Sequence, residues 1–106
     1  MSGLDTSSSI AGTVSLLGAE EAAAILRRAG WSVRKAGFHE FEIRGEDFEL
    51  YIESASPVLI HGPSVDPESI AIKLAAAFRD AGARFSFELY DPKQNLISVV
   101  ADEEKA

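Results

Sequence analysis

Apolar and polar residues alternate over two neighbouring segments in the middle of the chain, 38–44 and 47–53. A period of two is typical of strands in an antiparallel sheet with one buried face. Gly45-Glu46 between them predicts a two-residue turn, with glycine supplying the positive φ. The register that this turn predicts pairs Ile43 with Phe48, Phe41 with Leu50, and His39 with Ile52. All apolar partners then share one face, as a stable register requires.

A further strand is predicted just before this hairpin, over residues 31–35. A two-residue turn would place its apolar side chains beside glutamates. A three-residue turn over 35–37 places them beside the apolar side of the next strand, next to His39 and Phe41. We expect this second turn, with Gly37 in the left-handed conformation of a bulge.

Two segments show the spacing of amphipathic helices instead. The first helix is predicted to begin at Ser15 or at Gly18 and to end at Ala29, before Gly30. Acidic residues near its start and arginines near its end complement the helix dipole. The second helix is predicted to begin after an Asp66 cap, with Pro67 in its first turn, and to end before Gly82.

Three more strands complete the prediction, at 57–61, 85–90 and 96–101. In the last strand, Ile97, Val99 and Ala101 are expected to face the core. The predicted order is α-β-β-β-β-α-β-β, which indicates an α+β fold: an antiparallel sheet with both helices on one face. Residues 1–14 are predicted to be a flexible tail, 15–102 a single domain, and 103–106 a frayed C-terminus.

The amino-acid composition and net charge of the chain argue against several classes of function. The 106 residues include no cysteine, which excludes disulfides, thiol nucleophiles and cysteine metal sites and fits a reducing cytoplasm. The net charge of −7 argues against nucleic-acid binding and against an anionic membrane surface. No apolar run could span a bilayer, and the N-terminus lacks the pattern of a signal peptide. Since phosphate-binding glycine motifs and histidine pairs with metal-ligand spacing are also missing, we predict no catalytic residue, metal or cofactor.

Acidity is concentrated in the central hairpin, where residues 40–53 contain six acidic residues and one arginine, giving −5 of the net −7. Glu42 is predicted to lie opposite Glu49, and such like-charge pairs destabilise a sheet. Three interpretations stay open: a solvated face that discourages aggregation, a docking surface for a basic protein, or a metal or catalytic carboxylate pair. The candidate partner-binding residues are Glu40, Glu42, Glu49, Tyr51 and Glu53.

Two other groups of residues are candidates for binding. Tyr90, Leu96 and Val100 are predicted to point outward from the closing hairpin, and an exposed apolar patch of this kind suggests a homodimer or partner contact. Trp31, His39 and His61 are predicted to line a pocket between the helices and the sheet.

The sequence therefore favours a non-enzymatic protein-interaction domain that binds a protein partner and could self-associate. Its element order resembles that of small secretion chaperones, although their third helix has no counterpart in this chain. Its size and acidity are similar to those of toxin-neutralising immunity proteins. The alternatives are a small-molecule-sensing or regulatory domain, using the predicted pocket, and an enzyme based on histidine and carboxylates.

Overall fold

A seven-stranded antiparallel sheet with two helices forms the fold, as the computed structural model shows for residues 8–15 and 18–102. The predicted α+β class and the packing of both helices on one face are confirmed. Along the sheet, the strands lie in the order β2-β3-β4-β5-β1-β6-β7. In chain order, the elements are β1 (Ser8–Ser15), α1 (Ala19–Arg28), β2 (Ser32–Gly37), β3 (Glu40–Arg44), β4 (Glu49–Glu53), β5 (Val58–Ser64), α2 (Pro67–Asp80), β6 (Arg84–Tyr90) and β7 (Leu96–Ala101).

The first strand is absent from the predicted order, and the prediction of a flexible tail is wrong over residues 8–14. β1 lies inside the sheet, hydrogen-bonded to β5 on one side and β6 on the other. Its small and polar residues concealed the strand pattern. Gly12 is required there because a side chain would overlap Ser86 O and the Phe87 ring. Residues 1–7 of the predicted tail and the predicted frayed end, 103–106, lie outside the described residues.

α2 begins and ends where the sequence predicts, and α1 ends within one residue of its predicted end. α1 begins at Ala19 with Gly18 as its N-cap, whereas Ser15, the earlier of the two predicted starts, ends β1 instead. The Asp66 side chain accepts a hydrogen bond from Ser69 N at 3.3 Å and caps α2. At the N-terminus of α1, Gly18 N donates to Glu21 Oε1 at 3.0 Å. Gly30 and Gly82 follow the two helices with φ values of 98° and 78°, the left-handed conformation that ends a helix.

The core lies between the helices and the inner face of the sheet. Burying each large apolar side chain there contributes on the order of 1.5–3 kcal/mol. Its fully buried members include Ile10, Leu26, Ile43, Leu50, Ile52, Ile60, Leu74, Phe78, Phe87 and Leu89. The outward side chains of the strands form the opposite surface, here called the open face, which neither α1 nor α2 covers. Its middle row contains Arg34, Glu42, Tyr51, His61, Ala11, Glu88 and Val99.

The β3–β4 register differs from the prediction by two residues. Phe41 pairs with Ile52 and Ile43 pairs with Leu50, because the connection spans residues 45–48 rather than two residues. The Phe48 ring folds over Gly45 and meets the Trp31 ring edge-on at 5.7 Å. Since a shift of two preserves the alternation, the predicted inward faces of both strands survive, but every cross-strand pair changes.

The predicted three-residue turn between β2 and β3 is also wrong. The turn residues are Phe38 and His39, and a bulge lies between Lys35 and Gly37. The left-handed residue is His39, with φ 63°, and not Gly37. Histidine tolerates this conformation better than most residues. His39 therefore leaves the apolar side of the strand and sits in the turn.

A bulge in the last hairpin inverts the predicted faces of β7. Leu89 pairs with Ser98 while Tyr90 pairs with Leu96, so Ile97 is an extra residue. Beyond it, Val100 lies opposite Phe87 and packs against the core, whereas Val99 turns to the open face. The prediction that Ile97, Val99 and Ala101 face the core, and that Val100 faces outward, is wrong for this reason.

Candidate functional site

The five residues of the candidate acidic surface all project from β3 and β4 onto the open face. The observed register places Glu42 opposite Tyr51 and Arg44 opposite Glu49. The predicted Glu42–Glu49 pair is therefore replaced by an unlike-charge pair. Glu40 and Glu53 now lie opposite each other instead.

Half of the acidic surface is neutralised by a ladder of ion pairs. The Glu42 side chain is only 13% exposed and lies between two arginines, with Oε1 2.9 Å from Arg34 Nε and 3.4 Å from Arg44 Nε. Arg44 Nη2 also lies 3.5 Å from Glu49 Oε2. Two arginines balance two glutamates here, so this part of the face contributes little net charge.

The other half of the surface keeps its negative charge. Neither Glu40 nor Glu53 has an ion pair with a lysine or arginine in the described part of the chain. Glu53 Oε2 lies 2.7 Å from His61 Nε2, and both side chains are substantially exposed, at 45% and 36%. Glu40 is exposed as well. Among the four glutamates of the candidate surface, these two have no arginine or lysine partner within the described residues.

Aromatic and apolar side chains border the Glu40–Glu53 pair. The Tyr51 and His61 rings lie 6.0 Å apart between centroids. Partial burial, and then the charges of Glu49 and Glu42, raise the pKa of the Tyr51 phenol, which stays a neutral hydrogen-bond donor. Leu59 pairs with Glu53 and is half-buried on the same face. Sequence reasoning missed Leu59 because 57–61 showed no alternation.

The predicted pocket of Trp31, His39 and His61 is wrong, because the three residues lie in different places. Trp31 lines a shallow depression of 320 Å³ with Phe48, Arg44 and Lys73. His39 Nδ1 lies 3.0 Å from Glu20 Oε2, beside the N-terminus of α1. His61 belongs to the open face.

Two of the three candidate interface residues of the closing hairpin face outward as predicted. Tyr90 and Leu96 pair on the open face, but Val100 packs inward. Ile97 and Val99 are 55% and 50% exposed and extend the apolar surface that Leu96 begins. The hydrogen bond that Tyr90 OH donates to Glu88 is the main cause of the raised pKa of Tyr90.

The open face suits recognition of a cation or of a protein surface. Within residues 8–15 and 18–102, no group of three or more histidines and carboxylates is arranged to hold a metal ion. None of the described helices has the length and apolar character needed to cross a membrane.

Comparisons with known proteins do not assign the chain to a family or a function. No family model matches the chain, and the searches of curated proteins and of solved structures give no significant match. The functional inference therefore rests on the geometry of the open face.

Proposed function

We propose that this protein is a non-enzymatic interaction domain that binds a basic protein partner through the Glu40–Glu53 end of its open face. The observation that carries the proposal is the pair itself: two exposed carboxylates directly opposite each other, without a lysine or arginine partner among the described residues. Like charges in this arrangement are a cost to the sheet. A partner's cation would relieve that cost on binding.

The spacing of the pair fits one basic side chain. Directly opposed residues have Cβ atoms about 4.5–5.5 Å apart, so two carboxylates can approach the same cation. An arginine would be held best, because its planar group donates several hydrogen bonds in fixed directions. His61 beside Glu53 orients that carboxylate.

The surroundings of the pair resemble the composition of protein interfaces. Tyr51 and Leu59 are half-buried and present apolar surface next to the two carboxylates. Tyrosine is enriched where binding energy is concentrated, since its ring excludes water and its hydroxyl can donate. A partner cation at Glu40 and Glu53 would therefore be flanked by apolar contact rather than by bulk water.

The charge of the whole chain supports the same partner class. A net charge of −7 would steer a basic protein towards this molecule and raise its association rate at low salt. A chaperone-like or inhibitor-like role in the cytoplasm fits such a surface and is the form of the function that we favour.

Affinity capture from a lysate of the native organism tests the proposal. Three tagged baits would be compared by quantitative mass spectrometry: the wild-type chain, Glu40→Gln/Glu53→Gln, and the control Glu68→Gln/Asp80→Asn. The control removes two carboxylates that are exposed on α2, so it matches the charge change away from the open face.

We expect a basic protein that the wild type and the control both retain and that the Glu40/Glu53 variant loses, with a fall of at least about tenfold, or 1.4 kcal/mol. Equal retention by all three baits would show that the partner binds elsewhere. Loss with both variants would indicate a non-specific response to net charge, and it would also contradict the proposal.

A further inference from the structure

The two edges of the sheet differ in chemistry. β2 forms one edge and contains Arg34 and Lys35, charged side chains of the kind that keep sheet edges from pairing. β7 forms the other edge, and none of its six residues is charged. Its exposed large side chains are Leu96, Ile97 and Val99, at 55%, 55% and 50%.

The hydrogen bonds of β7 identify which of its backbone groups have no partner within residues 8–15 and 18–102. Asp102 N donates to Phe85 O at 3.2 Å, which continues the β6–β7 register. Hydrogen-bonded pairs alternate with non-bonded pairs in an antiparallel ladder. Val100 and Ser98 therefore bond to β6, whereas Val99 and Ala101 direct their N–H and C=O groups to the free edge.

We infer that β7 pairs with β7 of a second copy of this chain, antiparallel about a two-fold axis at Val99. Val99 of each copy donates its N–H to the Val99 C=O of the other. The same register brings Ile97 opposite Ala101 of the second copy, which also has free backbone groups. The two seven-stranded sheets then become one continuous sheet. This contact lies outside the Glu40–Glu53 surface and goes beyond the proposed function.

The distribution of charge favours a second copy as the occupant. An uncharged strand fits another uncharged strand, and self-pairing opposes no like charges. The acidic strand β4 lies four positions from β7 in the sheet. At about 4.8 Å per strand, the acidic hairpins of the two copies would be roughly 40 Å apart. Even Glu88, on the neighbouring strand, would lie about 14 Å from its counterpart, beyond the screening length of about 8 Å at physiological ionic strength.

Light scattering coupled to size-exclusion chromatography, over a series of protein concentrations, tests the inference. The wild type should approach twice the chain mass of 11.4 kDa and dissociate on dilution. Val99→Pro removes the edge N–H that the dimer uses and the monomer does not, and proline is tolerated at such edge positions. Val99→Lys adds a charge there. The control Val65→Lys makes the same change at a valine that is 57% exposed outside the sheet edge.

Both Val99 variants should remain monomeric at concentrations where the wild type and Val65→Lys are dimers. If Val99→Pro does not fold, as judged by circular dichroism, Val99→Lys decides the question. A monomeric wild type at the highest concentration would overturn the inference. Dimers that persist in both variants would overturn it too, because association would then use another surface.

Discussion

Glu40 and Glu53 lie directly opposite each other across β3 and β4, with both side chains on the open face. Opposed like charges weaken a sheet, so removing one should stabilise the fold. We predict that Glu40→Gln raises the free energy of unfolding by about 0.5 kcal/mol, measured by urea denaturation at low salt. Adding salt should shrink the gain. A loss of stability would mean that the Glu40 carboxylate has a favourable partner, which would weaken the case for a binding site.

Glu42 has the opposite role on the same face. Its side chain is 13% exposed and lies within ion-pair distance of both Arg34 and Arg44. Glu42→Gln should lower the free energy of unfolding by about 1 kcal/mol, a figure that allows for the exposure of both arginines. Glu49→Gln, with one arginine partner, is the control and should cost less. Equal effects would show that the two-arginine arrangement adds nothing.

A substitution at Gly12 tests whether β1 lies inside the sheet. A side chain at this position would overlap Ser86 O and the Phe87 ring. Gly12→Val should therefore cost about 1–3 kcal/mol, as overpacked cores do. Ala11→Val, one position along on the open face, should change stability by less than about 0.5 kcal/mol. If both variants unfold at the same urea concentration, β1 does not pack as described.

Replacing the buried Ser64 with alanine should stabilise the fold. Its hydroxyl is fully buried and has no hydrogen-bond partner among the residues that the structure describes. Removing an unsatisfied buried hydroxyl relieves its desolvation penalty, so Ser64→Ala should raise the free energy of unfolding by up to about 1 kcal/mol. Ser86→Ala, on the half-exposed side of β6, should leave it unchanged. A destabilised Ser64→Ala variant would show that the hydroxyl is satisfied in solution.

The raised pKa values of Tyr51 and Tyr90 indicate how the stability of the fold changes at high pH. The pKa of each is raised in the folded chain, mainly by burial at Tyr51 and by the hydrogen bond to Glu88 at Tyr90. The folded state then holds these protons more tightly than the unfolded chain. The contribution of the two tyrosines to the free energy of unfolding is complete below the ordinary tyrosine pKa of about 10. It is lost as the pH rises through the pKa values of the folded state.

Absorbance at 295 nm, which reports tyrosinate, measures this directly while circular dichroism checks that the chain stays folded. In Tyr51→Phe, the remaining Tyr90 should titrate above pH ~10, and adding Glu88→Ala should bring its midpoint back towards that value. Ordinary midpoints for both tyrosines in the folded protein would contradict the described surroundings.

Sequence reasoning succeeded where local chemistry decides the structure. The Asp66 cap and the glycines after each helix predicted both helices, because helix ends depend on a few adjacent residues. The inward faces of β3 and β4 followed from their alternation. Register did not, because it depends on how Phe48 folds over Gly45, a contact that no alternation pattern records.

The errors at β1 and β7 have related causes. β1 was predicted to be part of a flexible tail because its residues are small: Gly12 and its neighbours leave room for Phe87, so a tertiary contact replaced the usual apolar signal. In β7, the extra residue Ile97 exchanged the two faces of an uncharged strand, and Val99 took the exposed position assigned to Val100. The acidic hairpin was recognised, but its division into a neutralised half and an open half required the observed pairs.

Carboxylate footprinting of the captured complex shows directly which carboxylates the partner covers. Exposed carboxylates would be coupled to glycine amide with a carbodiimide, in the free protein and in the complex with its partner, and quantified by peptide mass spectrometry. We expect Glu40 and Glu53 to be protected in the complex, while Glu68 and Asp80 on α2 are labelled equally in both states. If Glu40 and Glu53 were labelled to the same extent in the free protein and in the complex, while the α2 carboxylates were protected, the proposed binding surface would be wrong.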